Sequence, residues 1–274
     1  MQRAAIITNK KKDSDGSITK LCADILKSKY ELVFSDGTDK AHTKKTLEGC
    51  SVAIVIGGDG TILLAANEAA VAGVPVLGIN MGNVGFLADV ELAEVRKALE
   101  CLIDGAYTIE ERFMIEAKVK GKEDTYPSLT ALNDLVISRA SYTRMIALDV
   151  MVNGHFLASY VGDGVVVATP TGSTAYSLSA GGPVVDPELD VCIITPVCPH
   201  TVSSKPIIVP GNAEIAIRFH ANFDDISMLT ADGQHSIKIS DNDEIIVKAS
   251  KLKTKLIKVS GRCFYEIFNK KLQG

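Results

Sequence analysis

The arrangement of apolar and polar positions changes near residue 109. Before it, β-branched apolar runs at 3–8 and 51–56 are typical of strands buried on both faces, and apolar residues recur every three or four positions between Ile18 and Leu26. A second helical pattern over 62–72 and a further buried strand over 74–79 follow. The pattern therefore predicts alternating strands and helices around a parallel sheet.

From residue 109 onward, short apolar runs with turn signals between them predict a β-rich second domain. Asn153-Gly154 and Asp232-Gly233 are dipeptides of tight hairpin turns. The predicted strands are 113–119, 129–137, 147–152, 155–161, 164–168, 191–195, 207–209, 214–219, 226–230, 236–239 and 244–248. The fold class that we predict is an α/β N-terminal domain with a parallel sheet, followed by this β-rich C-terminal domain.

Composition narrows the class of protein. The 274 residues are 46% hydrophobic and carry a net charge of −4, which predicts a globular chain and argues against nucleic-acid binding through phosphate neutralisation. The longest apolar stretches fall short of the roughly 20 residues that a membrane helix needs. The N-terminus is unlike a signal peptide and the cysteines are scattered, so we expect a cytoplasmic protein with reduced thiols.

The sharpest local feature is Gly57-Gly58-Asp59-Gly60-Thr61, which follows a predicted strand and precedes a predicted helix. Glycines there let the backbone approach a phosphate, and a helix N-terminus binds anions. The Asp59 carboxylate could accept a hydroxyl proton at this strand end. The alternative is that Asp59 merely caps the helix, and the motif alone leaves both readings open.

Two further clusters carry candidate chemistry. Residues 162–164 and 169–183 are dense in glycine and hydroxyl side chains, and Tyr176 offers a flat surface for a ring. Asn133 and Asp134 interrupt an apolar run, so they need buried partners, which backbone groups or the hydroxyls of a ribose could provide. The chain has no GxxxxGK[ST] loop and no GxGxxG spacing, so neither standard nucleotide fold is indicated.

The order and wording of several motifs resemble those of the NAD kinase family, which phosphorylates the adenosine 2′-hydroxyl of NAD to give NADP. GGDGT alone is shared with a wider superfamily that includes lipid kinases and phosphofructokinases, whereas the set as a whole points to NAD kinases. The motifs are GGDGT at 57–61, GINMGNVGFL at 78–87, ALND at 131–134, GDG at 162–164, TPTGSTAYSLSAGGP at 169–183, CPHT at 198–201 and DGQ at 232–234.

The resemblance implies a role for each candidate residue. Asp59 would accept the proton of the ribose 2′-hydroxyl, and Gly57, Gly58, Gly60 and Thr61 would hold phosphates of ATP or NAD. Asn133 and Asp134 would bind the adenosine part of NAD, and Asp163 the nicotinamide amide. Arg144 would reach a neighbouring subunit's site. The remaining residues of the dinucleotide pocket would be Thr174, Ala175, Tyr176, Ser177, Leu178, Ser179 and Gln234.

The resemblance also implies an organisation. It divides the chain into a nucleotide-binding domain at 1–108, an NAD-binding domain at 109–255 and a segment at 256–274 that returns to the first domain. ATP would be the donor, NAD the acceptor and a divalent cation, Mg²⁺, the cofactor, without a dense cluster of protein ligands. We expect a homodimer or homotetramer without nucleic-acid or membrane partners.

Three positions depart from the family pattern, and two other functions stay open. Leu64 and Val161 stand where basic residues are common, and Lys205 replaces a frequent arginine. A lipid or sugar kinase of the wider superfamily would not need the Tyr176 loop, and a lipid substrate would favour an exposed apolar groove. A dinucleotide sensor without catalysis could dispense with Asp59.

Overall fold

The computed structural model describes residues 1–82, 85–121, 126–140, 145–200, 204–220, 227–240 and 243–272. The chain forms two compact units, Met1–Arg112 with Leu252–Gly274, and Phe113–Lys251. The first unit therefore contains both ends of the chain. Within the described ranges, no helix combines the length and the apolar character needed to cross a membrane.

Up to Arg112, strands and helices alternate as the apolar pattern predicts. Both β1 and β3 are almost continuously buried, which is typical of parallel strands covered on both faces. The elements are β1 (Gln2–Thr8), α1 (Ser17–Leu26), β2 (Tyr30–Asp36), α2 (Lys40–Leu47), β3 (Cys50–Gly57), α3 (Asp59–Ala72), β4 (Val76–Asn80), β5 (Val90–Glu91), α4 (Val95–Asp104) and β6 (Thr108–Arg112).

The second unit is rich in β-strands, as predicted, and the strands pair in an antiparallel arrangement. They form two sheets, ordered β11-β10-β15-β18-β7-β8 and β14-β13-β12-β9-β16-β17. Inward-facing residues of both sheets, such as Leu148, Ile217 and Val165, form its core. The elements are β7 (Ile115–Lys120), β8 (Leu129–Ala131), β9 (Asp134–Arg139), β10 (Ile146–Val152), β11 (His155–Gly162), β12 (Gly164–Ala168), α5 (Tyr176–Ser179), β13 (Val191–Val197), β14 (Ile207–Pro210), β15 (Ile215–His220), β16 (Ser227–Ala231), β17 (His235–Ile239) and β18 (Glu244–Ala249).

The last part of the chain completes the first unit with β19 (Thr254–Lys258) and α6 (Phe264–Leu272). The sheet of this unit has the order β2-β1-β3-β4-β19-β6, and β5 pairs with β4. The neighbours from β2 to β19 run parallel, whereas β6 is antiparallel to β19. The carboxyl ends of β1, β2, β3 and β4 therefore meet along one edge, where ligands of open α/β sheets bind.

The structure corrects the predicted opening of the chain. We predicted one helix between the first two strands, and the structure contains α1, β2 and α2 there. The sequence of α2 carries three lysines, and it buries Thr43 and Thr46 beside Leu47, so its buried face has little apolar signal. Phe34 of β2 is exposed, which breaks the buried pattern expected for a parallel strand.

Two other boundaries differ from the prediction. The run at 129–137 forms two strands in different sheets, β8 and β9, because Leu132 and Asn133 between them are not part of a strand. The strand β6 begins near the point where the pattern changes but pairs with β19 in the first sheet. The segment 251–258, in which lysines alternate with leucine or isoleucine, is typical of a strand with one solvated face. It contains β19, an interior strand of the first sheet whose Thr254, Leu256 and Ile257 are buried.

Asp89 fixes the returning segment to the first unit. It is 2% exposed, and it accepts hydrogen bonds from the backbone N–H groups of Val259 (2.7 Å) and Ser260 (2.9 Å). Lys258 Nζ lies 2.8 Å from its Oδ1. Burial alone would raise the pKa of Asp89, but Lys258 and the two amides outweigh it and hold the pKa below its usual value.

We expect Asp89→Asn to lower the free energy of unfolding at pH 7 by about 3 kcal/mol, because Lys258, whose side chain is only 12% exposed, loses its counter-charge. The lowered pKa means that the carboxylate stabilises the fold above its unfolded-state pKa. That contribution is lost as the pH falls below about 4 and through the folded-state pKa. Urea unfolding of both proteins at pH 7 and at acidic pH measures the difference.

Glu111→Gln is the control, since Glu111 pairs with Lys253 at 3.3 Å and both side chains are about half exposed. It should change the free energy of unfolding by less than about 1 kcal/mol. Equal effects of the two substitutions, or a loss in Asp89→Asn that does not shrink in acid, would contradict the role of Asp89.

Candidate active site

The GGDGT motif lies at the carboxyl edge of the parallel sheet. Strand β3 ends at Gly57 and helix α3 begins at Asp59, with Gly58 between them, as the sequence predicts. The first N–H groups of a helix have no intrahelical acceptor and carry the positive end of the helix dipole. This turn is therefore suited to bind an anion.

The Asp59 carboxylate is held by the loop that follows β4. Its Oδ2 accepts a hydrogen bond from the N–H of Phe86 at 2.9 Å, and its Oδ1 accepts one from the N–H of Leu87 at 3.3 Å. These donors lie outside α3, so the geometry favours a positioned carboxylate over a simple helix cap. The side chain is 35% exposed and stays accessible to a ligand.

The neighbouring glycines differ in how much space a side chain would have. A Cβ on Gly85 would lie 1.9 Å from Asp59 Oδ1, and a Cβ on Gly57 would lie 2.6 Å from Thr61 Cβ. A Cβ on Gly60 would meet nothing within 4 Å, which leaves room for a ligand. Thr61 is buried and accepts a hydrogen bond from Asn9 Nδ2 at 3.1 Å, so its contacts in this structure are internal.

Asp59 lines a cavity of about 980 Å³ in the first unit. Lysines outnumber carboxylates on its wall, which gives the cavity a positive charge suited to a polyanion. Only Gly58 and Asp59 of this wall are among the site residues predicted from the sequence. The lining residues are Lys12, Gly58, Asp59, Asn80, Gly82, Glu91, Leu92, Ala93, Lys270 and Lys271.

In the second unit, Asp232 organises the break between β8 and β9. Its carboxylate accepts three hydrogen bonds, from the N–H groups of Leu132 (2.9 Å), Asn133 (2.7 Å) and Asp134 (3.1 Å). Asp232 lies in the turn between β16 and β17 with a positive φ of 52°. This one carboxylate therefore satisfies the backbone N–H groups at the interruption, and these bonds leave the side chains of Asn133 and Asp134 for other partners.

The Thr169–Pro183 segment packs directly against the same break. The N–H of Thr169 donates to the carbonyl oxygen of Asn133 at 2.8 Å. A Cβ on Gly172 would lie 2.0 Å from that carbonyl oxygen, so the close approach of the two backbones requires glycine. This contact places Ala175 and Tyr176 beside Asn133 and Asp134.

These residues line a second cavity of about 370 Å³, which combines carboxyl, amide and hydroxyl groups with the Tyr176 ring. Burial, and then the charge of Asp232, raise the pKa of Asp134 to about 7. Burial is also the main cause that raises the pKa of the Tyr176 phenol. The lining residues are Asn133, Asp134, Val136, Ala175, Tyr176, Thr230, Asp232 and Gly233.

Other predicted residues of the second unit lie outside this lining. Asp163 pairs with Arg139 at 2.8 Å, and buried Ser177 shares a hydrogen bond with Thr195 at 3.0 Å. The Thr174 hydroxyl donates to the Thr171 carbonyl oxygen at 3.4 Å. Leu178 and Ser179 are exposed on α5, and Gln234 is half-buried in the β16–β17 turn. Arg144 lies outside the described residues.

Each of the two cavities contains residues that the sequence did not predict. Asp232 belongs to the DGQ motif, which was a sufficient signal, although only Gln234 was selected from it. Lys12 lies in a short run of lysines that carries no motif. Lys270 lies 179 positions from Glu91 in the chain and Lys271 lies 212 positions from Asp59, so no local pattern relates them.

Comparison with known proteins gives a consistent result across the chain. Residues 6–107 match the family model of the ATP-NAD kinase N-terminal domain, and residues 132–259 match that of the ATP-NAD kinase C-terminal domain. The chain is 40% identical over 283 residues to the NAD kinase of Natranaerobius thermophilus, covering 100% of this chain and 99% of that protein. It is 46% identical over 220 residues to that of Moorella thermoacetica, covering 80% and 70%.

Solved structures resemble the chain over nearly its full length. The NAD kinase from Archaeoglobus fulgidus in complex with ATP is 25% identical with a TM-score of 0.79, and the alignment covers 98% of each chain. Yeast NADH kinase complexed with NADH is 24% identical with a TM-score of 0.80, covering 99% of this chain and 88% of that one. The second likeness concerns the fold alone.

The raised pKa of Asp134 predicts a pH-dependent stability. The folded chain retains a proton that the unfolded chain releases above about pH 4, so this group lowers stability as the pH rises from about 4 to about 7. Asp134→Asn removes the titration. We therefore expect the variant to gain about 2 kcal/mol relative to the wild type between pH 5 and pH 8 in urea unfolding.

Asp190→Asn, which alters an exposed carboxylate of the same unit, is the control and should follow the wild type at each pH. Parallel pH profiles of the wild type and Asp134→Asn would show that Asp134 is already ionised across this range.

Proposed function

This chain belongs to the NAD kinase family, and we propose that it transfers the γ-phosphoryl group of ATP to the adenosine 2′-hydroxyl of NAD with Asp59 as proton acceptor. The observation that carries the proposal is the Asp59 carboxylate, held by the amides of Phe86 and Leu87 on the wall of a cationic cavity. A phosphoryl transfer needs mainly positioning and charge neutralisation, and this arrangement provides both.

In the proposed step, the 2′-oxygen of NAD forms a bond to the γ-phosphorus of ATP. The bond between that phosphorus and the β–γ bridging oxygen breaks, and ADP leaves. The hydroxyl proton moves to Asp59. The backbone amides hold the carboxylate in place, and the N-terminus of α3 with the lysines of the cavity stabilises the negative charge of the phosphates.

For the acceptor, we assign the adenosine part of NAD to the second cavity. The Tyr176 ring provides a stacking surface, and Asn133 and Asp134 provide polar groups for the ribose and base. With a pKa of about 7, the Asp134 carboxyl can donate or accept a hydrogen bond near neutral pH. Asp163 remains our candidate for the nicotinamide amide, and the other residues of the Thr174–Ser179 segment and Gln234 would shape the pocket.

The residues of the first cavity fit a divalent cation. Within the described ranges, no group of three or more His, Cys, Asp or Glu side chains is arranged to hold a metal ion. Mg²⁺ usually binds substrate phosphates and only one or two carboxylates. Glu91 lines the cavity and would hold it together with the phosphates, where the cation would neutralise charge on the transferred group.

The family resemblance also supports a homodimer or homotetramer in the cytoplasm, in which Arg144 reaches a neighbouring subunit. Light scattering after size-exclusion chromatography tests the assembly. Of the alternatives, a sensor without catalysis gives no reason for the Asp59 carboxylate to be held at a cationic cavity. The alternative of a lipid kinase does not explain why the pocket beside Tyr176 is polar.

We expect Asp59→Asn to lower the rate of NADP formation at least about 100-fold, because an amide cannot accept the proton. The assay contains NAD, ATP and Mg²⁺ and detects NADP with an NADP-specific dehydrogenase. NAD affinity, measured by calorimetry, should change little. Asp24→Asn, at an exposed ion pair on α1, is the control and should retain full activity.

An active Asp59→Asn variant would exclude Asp59 as the proton acceptor. A folded wild-type protein that binds NAD but forms no NADP would instead support the sensor.

Gly85→Ala tests the positioning of Asp59, since the added Cβ would overlap Oδ1. We expect kcat to fall by about 10- to 100-fold, because a displacement of about 1 Å at a reacting group can cost that much. In the Asp59→Asn background the same substitution should add little to the loss. Independent, multiplicative losses would contradict an effect that acts through Asp59.

A further inference from the structure

Aromatic and ionic contacts fix the C-terminal helix α6 beside the loop that follows β4, whose Phe86 and Leu87 hold Asp59. The rings of Phe264 and Phe268 lie 6.0 Å and 6.5 Å from that of Phe86, measured between centroids. Lys270 Nζ lies 2.8 Å from Glu91 Oε1. The Phe86 residue therefore contacts α6 through its ring and Asp59 through its N–H.

This arrangement brings Lys271 to the proposed proton acceptor. Its Nζ lies 3.8 Å from Asp59 Oδ2 and 4.0 Å from the centroid of the Phe86 ring. The distance to Asp59 exceeds that of a hydrogen bond, so charge attraction is what relates the two groups. The ammonium of the neighbouring Lys270, in contrast, is in hydrogen-bonding contact with Glu91.

The other charged groups of this cavity wall are Lys12, Lys270 and Glu91. Lys12 Nζ lies 2.5 Å from the position that a Cβ on Gly58 would occupy, which places it over the GGDGT turn. Lys12 therefore lies beside Gly58, and Lys271 lies beside Asp59. A triphosphate carries more negative charge than either ammonium alone can neutralise.

We propose that Lys271 is a catalytic residue whose ammonium binds the phosphoryl group that ATP transfers. The proposal rests on the proposed function. Lys271 donates hydrogen bonds and neither gains nor loses a proton in the step. As the 2′-hydroxyl proton reaches Asp59, that carboxylate becomes neutral and its attraction for Lys271 ends.

The ammonium then interacts more strongly with the phosphoryl oxygens, at the stage when the transferred group is between its donor and acceptor. An interaction that strengthens toward the transition state raises kcat as well as affinity. Lys271 should therefore affect both kcat and the KM for ATP.

The first test compares Lys271→Met, Lys271→Arg and Lys44→Met in the full-length protein. Lys44 is the matched control, since it is an exposed lysine in the last turn of α2, as Lys271 is in the last turn of α6. We expect Lys271→Met to lower kcat/KM for ATP about 10- to 100-fold, as for loss of a charge-assisted hydrogen bond. Lys271→Arg should recover most of the loss, and Lys44→Met should match the wild type.

The second test measures binding of ATP and of AMP by calorimetry without NAD. Lys271→Met should weaken the binding of ATP about tenfold and leave the affinity for AMP unchanged, because AMP lacks the β- and γ-phosphates. Equal losses for both nucleotides, or an unchanged kcat and KM for ATP, would overturn the role of Lys271. A wild-type protein that makes no NADP would instead refute the proposed function, whatever the variants bind.

Discussion

A carboxylate that accepts backbone N–H groups from a distant part of the chain is the interaction on which this structure depends. Asp59 accepts the amides of Phe86 and Leu87, and Asp232 accepts those of Leu132, Asn133 and Asp134. Such bonds to an ionised group are stronger than those between neutral groups, and several on one carboxylate hold it in place. Each of these aspartates therefore serves as a fixed point around which a loop is arranged.

The same interaction has different consequences in the two units. Asp59 stays partly exposed and is positioned to act on a ligand. Asp232, in contrast, is hydrogen-bonded to backbone N–H groups of the chain, and it affects a ligand through the neighbouring Asp134. The charge of Asp232 adds to burial in raising the pKa of Asp134, so a structural carboxylate also sets the protonation of a candidate binding residue. Asp232 therefore both holds the backbone of Asp134 in place and raises the pKa of its side chain.

Glycine makes these close contacts possible. Gly85 faces the Asp59 carboxylate and Gly172 faces the Asn133 carbonyl, and a single Cβ at either position would overlap an oxygen. Both glycines lie in segments that the sequence analysis had selected by their motifs. The segment around Gly172 was predicted to bind a ligand, whereas the GINMGNVGFL motif around Gly85 was given no role of its own. In the structure both glycines allow two segments of the chain to pack closely, which keeps the polar side chains in position.

The sequence by itself determined the α/β and β-rich order and the position of the GGDGT turn, since these depend on local periodicity and short motifs. Only the family resemblance grouped Asn133, Asp134 and Tyr176 into one pocket. It did not reveal β2 and α2, whose exposed Phe34 and buried threonines break the expected patterns. The tertiary structure alone decided that Asp232 supports Asn133 and that Lys271 approaches Asp59. Contacts between residues roughly 100 or 200 positions apart arise from strand order and helix packing, which leave no periodic signal in the sequence.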